Sequence, residues 1–342
     1  MFTFPTLRNR RKTRFYRYFR TFLQVPVVNL TLSQPGVTNS IRKLDLIPVR
    51  CQNSTVDRKR RQGLSGGRVE ETTDAQQGAR GQMRLLSYNI HKGIGGRDRR
   101  YKLERIIEVI EHENPDFICL QEVDRHVRRS KYHDQPRLLA EYFHSVGQMY
   151  QLNVHLKEGG YGNLLLSRWP LKAHHQVSLT YQGRKARGAQ IALIDTPEGP
   201  LHLINWHLGL AERMRQWQVR HLLHHPLFRE SDKHPTLIIG DFNDWRNTLA
   251  RKVFQEHGFS QVTTPPRRFR SFPAYWPMGS LDKAFLRGEI HLKQAHVVRT
   301  PMAKKASDHL PLVLDFHLAG AMIASPSGHH PHHATHSHPK QH

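Results

Sequence analysis

Apolar and polar positions change their rhythm at Met83, and from there the chain can be parsed into elements. Residues 85–90 alternate as a strand, with Leu85, Ser87 and Asn89 on one face and Asn89 at its exit. Leu103, Ile106, Ile107 and Ile110 recur at helical spacing over residues 101–114, and Pro115 stops that helix. A second strand is predicted over 116–122. Asp134, Gln135 and Pro136 mark a helix start, with Leu138, Leu139, Tyr142, Phe143 and Val146 as its core stripe. Strands are predicted at 150–156, 161–167, 189–195 and 201–207, then an amphipathic helix with Leu210, Met214, Trp217 and Leu222 on one side. The β-branched run 235–239 ends at Gly240, a helix is expected near 245–257, and a loop rich in Pro, Arg and aromatics fills 263–279. Strands at 281–286 and 310–316 finish the pattern. No internal repeat is present.

Composition adds a strong charge bias. Lys and Arg total 52 and Asp and Glu 28 in 342 residues, a formal charge of +24. That excess favours anionic partners: nucleic acid, phosphorylated small molecules or an acidic membrane face. Cys119 lies in an apolar run and reads as a small buried hydrophobe, and with Cys51 alone beside it no disulfide framework or zinc–thiolate site is expected. No apolar run approaches the length that crosses a bilayer, so no integral membrane association is expected. A cytoplasmic monomer is the default reading.

The ends differ from the middle. Residues 1–82 start with Arg8, Arg10, Arg11, Lys12, Arg14, Arg17 and Arg20, and the first acidic residue is Asp45. An organelle transit peptide or a basic nucleic-acid-binding tail has this look. The reading adopted is a disordered basic extension, because Met83 directly precedes the first convincing strand. One domain is expected over 83–317. Residues 318–342 include seven histidines from His329 onward and read as a disordered tail.

Polar groups gather at the strand ends. They are Asn89; Gln121 and Glu122; Asn205 and His207; Asp241 and Asn243; Asp282; and Ser307, Asp308 and His309. Each has an ordinary alternative as a turn former, a solvated carboxylate or a hydrogen-bonded edge residue. Together they form an inventory of carboxylates, carboxamides and histidines suited to a hard cation and a phosphate.

These segments resemble a known family. Ser87 to Gly93, Leu120 to Asp124, Tyr161 to Ser167, Asn205 to Gly209, Gly240 to Asp244, Leu281–Asp282 and Ser307 to Pro311 look like the ordered motifs of the endonuclease/exonuclease/phosphatase superfamily, the DNase-I-like phosphodiesterases. The resemblance implies an α/β (α+β) four-layer sandwich, two packed mixed sheets flanked by helices. It implies that Glu122 with Asn89 holds Mg²⁺, with Mn²⁺ as a substitute, and that Asp308 is a carboxylate near the metal. His309 would be oriented by Asp282. Asp241 would orient or deprotonate the attacking water, with Asn243 donating to the phosphate and His207 to a non-bridging oxygen. Whether Asp241 or His309 is the base stays open. Asn163 is expected to point into the same cleft, with Arg128 and Arg187 as substrate-binding residues. His91 stands where repair members of the superfamily often carry an acidic ligand, which speaks against a second tightly held ion.

The expected activity is Mg²⁺-dependent phosphodiester hydrolysis, with nucleic acid ahead of other substrates. The loop holding Arg267, Arg268, Phe269, Arg270, Phe272, Tyr275 and Trp276 mixes cations and aromatics as single-strand sites do. A solvated loop whose aromatics pack on the domain is an equal reading. Sphingomyelinase-like and inositol-phosphatase-like enzymes share the implied catalytic set, and a non-catalytic nucleic-acid-binding module is the remaining class.

Overall fold

Residues 82–318 are described by a computed structural model. The basic extension and the histidine tail lie outside them, apart from Gln82 and Leu318 at their inner ends. The chain begins with strand β1 (Met83–Asn89), helix α1 (Leu103–Glu113) and strand β2 (Phe117–Arg125). Helix α2 (Gln135–Tyr142) leads into β3 (Gly147–His155), β4 (Gly160–Ser167), β5 (Leu171–Ser178), β6 (Gly188–Thr196) and β7 (Gly199–His207). Helices α3 (Glu212–Leu223) and α4 (Pro226–Arg229) precede β8 (Thr236–Asp241). The last elements are β9 (Ser260–Gln261), β10 (Asp282–Arg287), β11 (Ile290–Val297), α5 (Ala303–Ala306) and β12 (Leu312–Leu318).

The strands form two six-stranded sheets, ordered β11-β12-β1-β2-β4-β3 and β5-β6-β7-β8-β10-β9. Both are mixed: β1 runs parallel to β2 and β7 to β8, and the other pairs are antiparallel. Leu85, Leu120 and Leu165 of the first sheet share one core with Ala192, Leu203 and Ile239 of the second. Ile106, Ile107 and Ile110 of α1 join the same cluster. Trp206, Ile204 and Phe285 point the opposite way, onto Val219 and Leu222 of α3 and onto Phe254. Alternation along β7 therefore sends Trp206 outward to the helices and Asn205 inward between the sheets. The expected sandwich of two mixed sheets between helices is the observed architecture.

Several local expectations need correction. β5 and β11 escaped the sequence reading because both are sheet edges with mostly solvated side chains, which blurs the apolar alternation. In the α2 stripe Leu139 is buried, but Tyr142 and Val146 are exposed, since the helix ends at Tyr142 and the chain turns into β3. Leu210 is exposed because α3 begins only at Glu212; its inward face is Met214, Gln218, Val219 and Leu222. Trp217 instead stacks on His221. The helix expected near 245–257 is an irregular turn, a π segment at Ala250–Phe254 followed by a 3-10 turn at Gln255–His257. No helix among the described residues is long and apolar enough to cross a membrane.

Candidate active site

Strand register builds the centre. Asp241 ends β8 and stands opposite His207 on one side and Asp282 on the other. Residues in register share a face, so three polar side chains from three adjacent strands form a row. Gly240 makes the approach feasible: its φ is 142°, and a Cβ there would lie 2.1 Å from the Trp206 carbonyl oxygen. Asn243, two residues on, takes a left-handed φ of 51°. Its backbone N–H donates to Asp241 Oδ1 at 2.9 Å.

The first sheet closes the row from the other side. Asn89 Nδ2 donates to Asp241 Oδ2 at 3.1 Å. The Ser307 hydroxyl donates to the Asn89 carbonyl at 2.7 Å and so ties the loop after α5 to the end of β1. That loop brings His309 in, with Nδ1 2.9 Å from Asp282 Oδ2 and Nε2 3.7 Å from Asp241 Oδ2. His207 Nε2 stands 3.3 Å from the same Asp241 oxygen. Beneath the row, Asn205 donates to Gln190 Oε1 and accepts from Gln121 Nε2, both at 2.8 Å, linking the sheets through carboxamides.

Glu122 approaches from a β-bulge, where the β2–β4 register slips between Leu120 and Val123 and Glu122 adopts φ 57°. A carboxylate residue held in that conformation marks a place where the fold stores local strain. The Lys92 ammonium donates to Glu122 Oε2. Burial raises the Glu122 carboxyl, but the Lys92 ammonium outweighs it and holds the group well below the usual carboxylate range.

The other charges sort by environment. Burial raises Asp241 to about 6, with His309 opposing and Asp282 reinforcing the rise. His309 is lowered by burial, yet Asp282 and Asp241 carry it up to about 10, so its ring is an imidazolium at neutral pH. Burial, helped by Arg187, keeps His207 well below its ordinary value and therefore neutral. Burial likewise draws the Arg187 guanidinium down, against Glu122 and Asp241.

The oxygen donors are suited to a hard cation. Among the described residues no group of three or more His, Cys, Asp or Glu side chains is spaced to hold a metal. Glu122 is an ionised carboxylate with 13% side-chain exposure, and Asn89, paired in register with the preceding residue Gln121, adds a carboxamide oxygen. One carboxylate, one carboxamide and water fit Mg²⁺, which keeps much of its hydration. Asp308 faces His91 instead, with its Oδ2 3.7 Å from His91 Nε2.

Asn89, His207, Asp241, Asn243, Asp282 and His309 thus form one connected cluster, with Glu122 and Arg187 beside it. Asn163 is buried and donates to the Gly188 carbonyl at 3.0 Å, one residue from Arg187. Arg128 is exposed in the turn Arg128–Ser130, and no hydrogen bond or ion pair joins it to the cluster among the described residues. The second carboxylate of the β8 turn, Asp244, accepts from the Thr248 and Leu249 N–H groups and faces Arg215, which is a structural use. The sequence does not single out Ser271, and it marks Phe272 only as part of the aromatic loop. Ser271 donates to Asp282 Oδ2, and Phe272 packs against the His309 ring at 4.8 Å. Both sit in the aromatic loop, where only folding reveals that one half faces the cluster.

Comparison with known proteins identifies the family. Residues 86–309 match the Endonuclease/Exonuclease/phosphatase family. The chain belongs to that family, whose members hydrolyse phosphoester bonds and generally use divalent metal ions. The protein YbhP of Escherichia coli (strain K12) is 30% identical over 247 residues, spanning 69% of this chain and 96% of YbhP. An endonuclease/exonuclease/phosphatase structure from Beutenbergia cavernae DSM 12333 aligns with TM-score 0.60 and 22% identity, over 70% of this chain and 72% of that one. The human Nocturnin catalytic domain, solved with bound sulfate, aligns with TM-score 0.56 and 22% identity, over 70% of this chain and 94% of that one.

Proposed function

We propose that the protein is a Mg²⁺-dependent phosphodiesterase of nuclease type, acting by attack of water on phosphorus. The observation that carries this reading is the convergence of Asn89, Asn243, His207 and His309 on the two oxygens of Asp241. Asp241 is the base: its carboxyl lies near neutrality and two N–H donors fix its plane. His309 is not a base but a fixed cation, held by Asp282, that faces the charge developing on phosphorus. His207, neutral and buried, donates a hydrogen bond to a non-bridging oxygen. The Asn243 carboxamide donates to the Leu208 carbonyl with one proton and offers the other to the phosphate. Arg187 neutralises the bound anion. Glu122 and Asn89 would hold Mg²⁺, which would supply Lewis-acid polarisation of the phosphoryl oxygen when bound. Exposed Trp245 packs edge-on against Phe272 beside His309, exposed Tyr275 and Trp276 follow in the same loop as Phe272, and together they supply stacking surfaces for bases, which favours nucleic acid. The catalytic unit is a monomer.

The test is turnover by the full chain, stripped of metal and then supplied with Mg²⁺ or Mn²⁺. Substrates are single-stranded DNA, duplex DNA, RNA, sphingomyelin, inositol phosphates and bis-p-nitrophenyl phosphate. Metal-dependent cleavage of DNA or RNA that Asp241→Ala lacks supports the reading. Preference for sphingomyelin or inositol phosphates moves the protein to a lipid or small-molecule class. Tight DNA binding without any turnover makes it a binding module.

A further inference from the structure

Four basic side chains gather beside the catalytic cluster in a way hydrolysis of one phosphate does not require. Tyr161, the second residue of β4, is almost wholly buried. Over its ring stand Lys92 Nζ at 5.4 Å, Arg129 Cζ at 5.2 Å and Lys185 Nζ at 5.2 Å from the centroid. These cations come from three separate loops, after β1, after β2 and between β5 and β6. Arg187, two residues beyond Lys185, is 7% exposed, and its Nε has no hydrogen-bond partner.

Carboxylates balance only part of this charge. Arg129 forms a two-pronged pair with buried Asp124 at 2.9 and 2.8 Å, and Lys92 pairs with Glu122. Lys185 and Arg187 remain in excess. Like charges gathered from separate loops around one ring repel each other, and a bound dianion removes that repulsion. Lys92 links the two regions, because its ammonium touches Glu122 and lies over Tyr161.

Building on the phosphodiesterase reading, we propose that Lys185, Arg129 and Lys92, around the Tyr161 ring, form a subsite for a second phosphate of the substrate, next to the one cleaved. Such a phosphate belongs either to the next nucleotide of a strand or to a polyphosphorylated small molecule. In a strand that phosphate is a singly charged diester and in the small molecule a dianionic monoester, and either offers anionic oxygens to the same cations.

Calorimetry on the metal-stripped, desalted full chain tests this without turnover. The nucleotide arm compares thymidine 3′,5′-bisphosphate with thymidine 5′-monophosphate. The second arm compares myo-inositol 1,4-bisphosphate with myo-inositol 1-phosphate. Wild type is expected to bind the bisphosphate about tenfold more tightly in at least one arm. Lys185→Ala should reduce that ratio to about twofold or less, and Lys185→Arg should restore it. The arm that shows the gain identifies the source of the phosphate. Ratios near unity in both arms, or a ratio untouched by Lys185→Ala, overturn the subsite. Absence of hydrolysis with the ratio intact overturns the phosphodiesterase reading instead.

Discussion

His309 Nδ1 lies 2.9 Å from Asp282 Oδ2, although the two residues are 27 apart in sequence. Asp282 is fully buried and also receives the Ser271 hydroxyl, so its carboxylate can rotate little. The pair fixes the orientation of the His309 ring and holds its charge. Asp282→Asn keeps the shape and loses the charge. It is expected to lower kcat by roughly a hundred- to ten-thousand-fold while leaving the unfolding midpoint nearly unchanged. Steady-state kinetics beside thermal unfolding checks this, and wild-type kcat in the variant removes His309 from the mechanism.

The opposed shifts of Asp241 and His309 set a pH window. On the proposed mechanism Asp241 accepts a proton and so has to be ionised; burial raises it to about 6, and activity is expected to fall as the pH drops below that value. On the same mechanism His309 acts as a cation; burial lowers it, but Asp282 and Asp241 raise it to about 10, and activity is expected to fall again above that value. A bell-shaped kcat/KM profile between these limits is the expected outcome. A profile with no acid limb above about pH 5 shows that Asp241 is not the base.

The sequence made the strand exits legible because period-two alternation both identifies a strand and sorts its faces. Along β7 that rule puts Asn205 and His207 on one side and Trp206 on the other, and the folded chain keeps the division. Pairing is a different matter. Nothing in the runs containing His207, Asp241 and Asp282 states that β7, β8 and β10 are neighbours in register; the family resemblance supplied that grouping. Lys92 and Ser271 were invisible because each acts through a partner, Glu122 or Asp282, that only tertiary structure brings near. The edge strands β5 and β11 were lost for the opposite reason: water covers too much of them to leave an apolar signature.

The carboxamide network between the sheets is a stability element under the site. Asn205 is fully buried; its two N–H protons are shared among the Leu120 and Leu164 carbonyls and Gln190 Oε1, and its oxygen accepts from Gln121. Asn205→Ala removes these bonds and leaves buried partners unpaired. The expected cost is about 2–4 kcal/mol, seen as a lower urea midpoint with an unchanged slope. A loss within about 0.5 kcal/mol of zero refutes the idea that this network joins the sheets.

Lys283 provides the last test, on stability rather than catalysis. It alternates with Asp282 on β10, is fully buried, and donates to the Ser280 carbonyl at 2.7 Å. Burial lowers its pKa from 10.5 to about 8, although Asp244 and Asp282 oppose the fall. Between those two values the unfolded chain binds more protons than the folded one, so stability rises with pH across the window. The gain contributed by this side chain is about 2 kcal/mol between about pH 7 and about pH 10. Lys283→Met lacks it. Urea unfolding of both proteins at the two pH values isolates the effect, because every other titrating group cancels in the difference. Wild type should gain on the variant as the pH rises; an unchanged difference means that the buried amine is not being forced toward its neutral form.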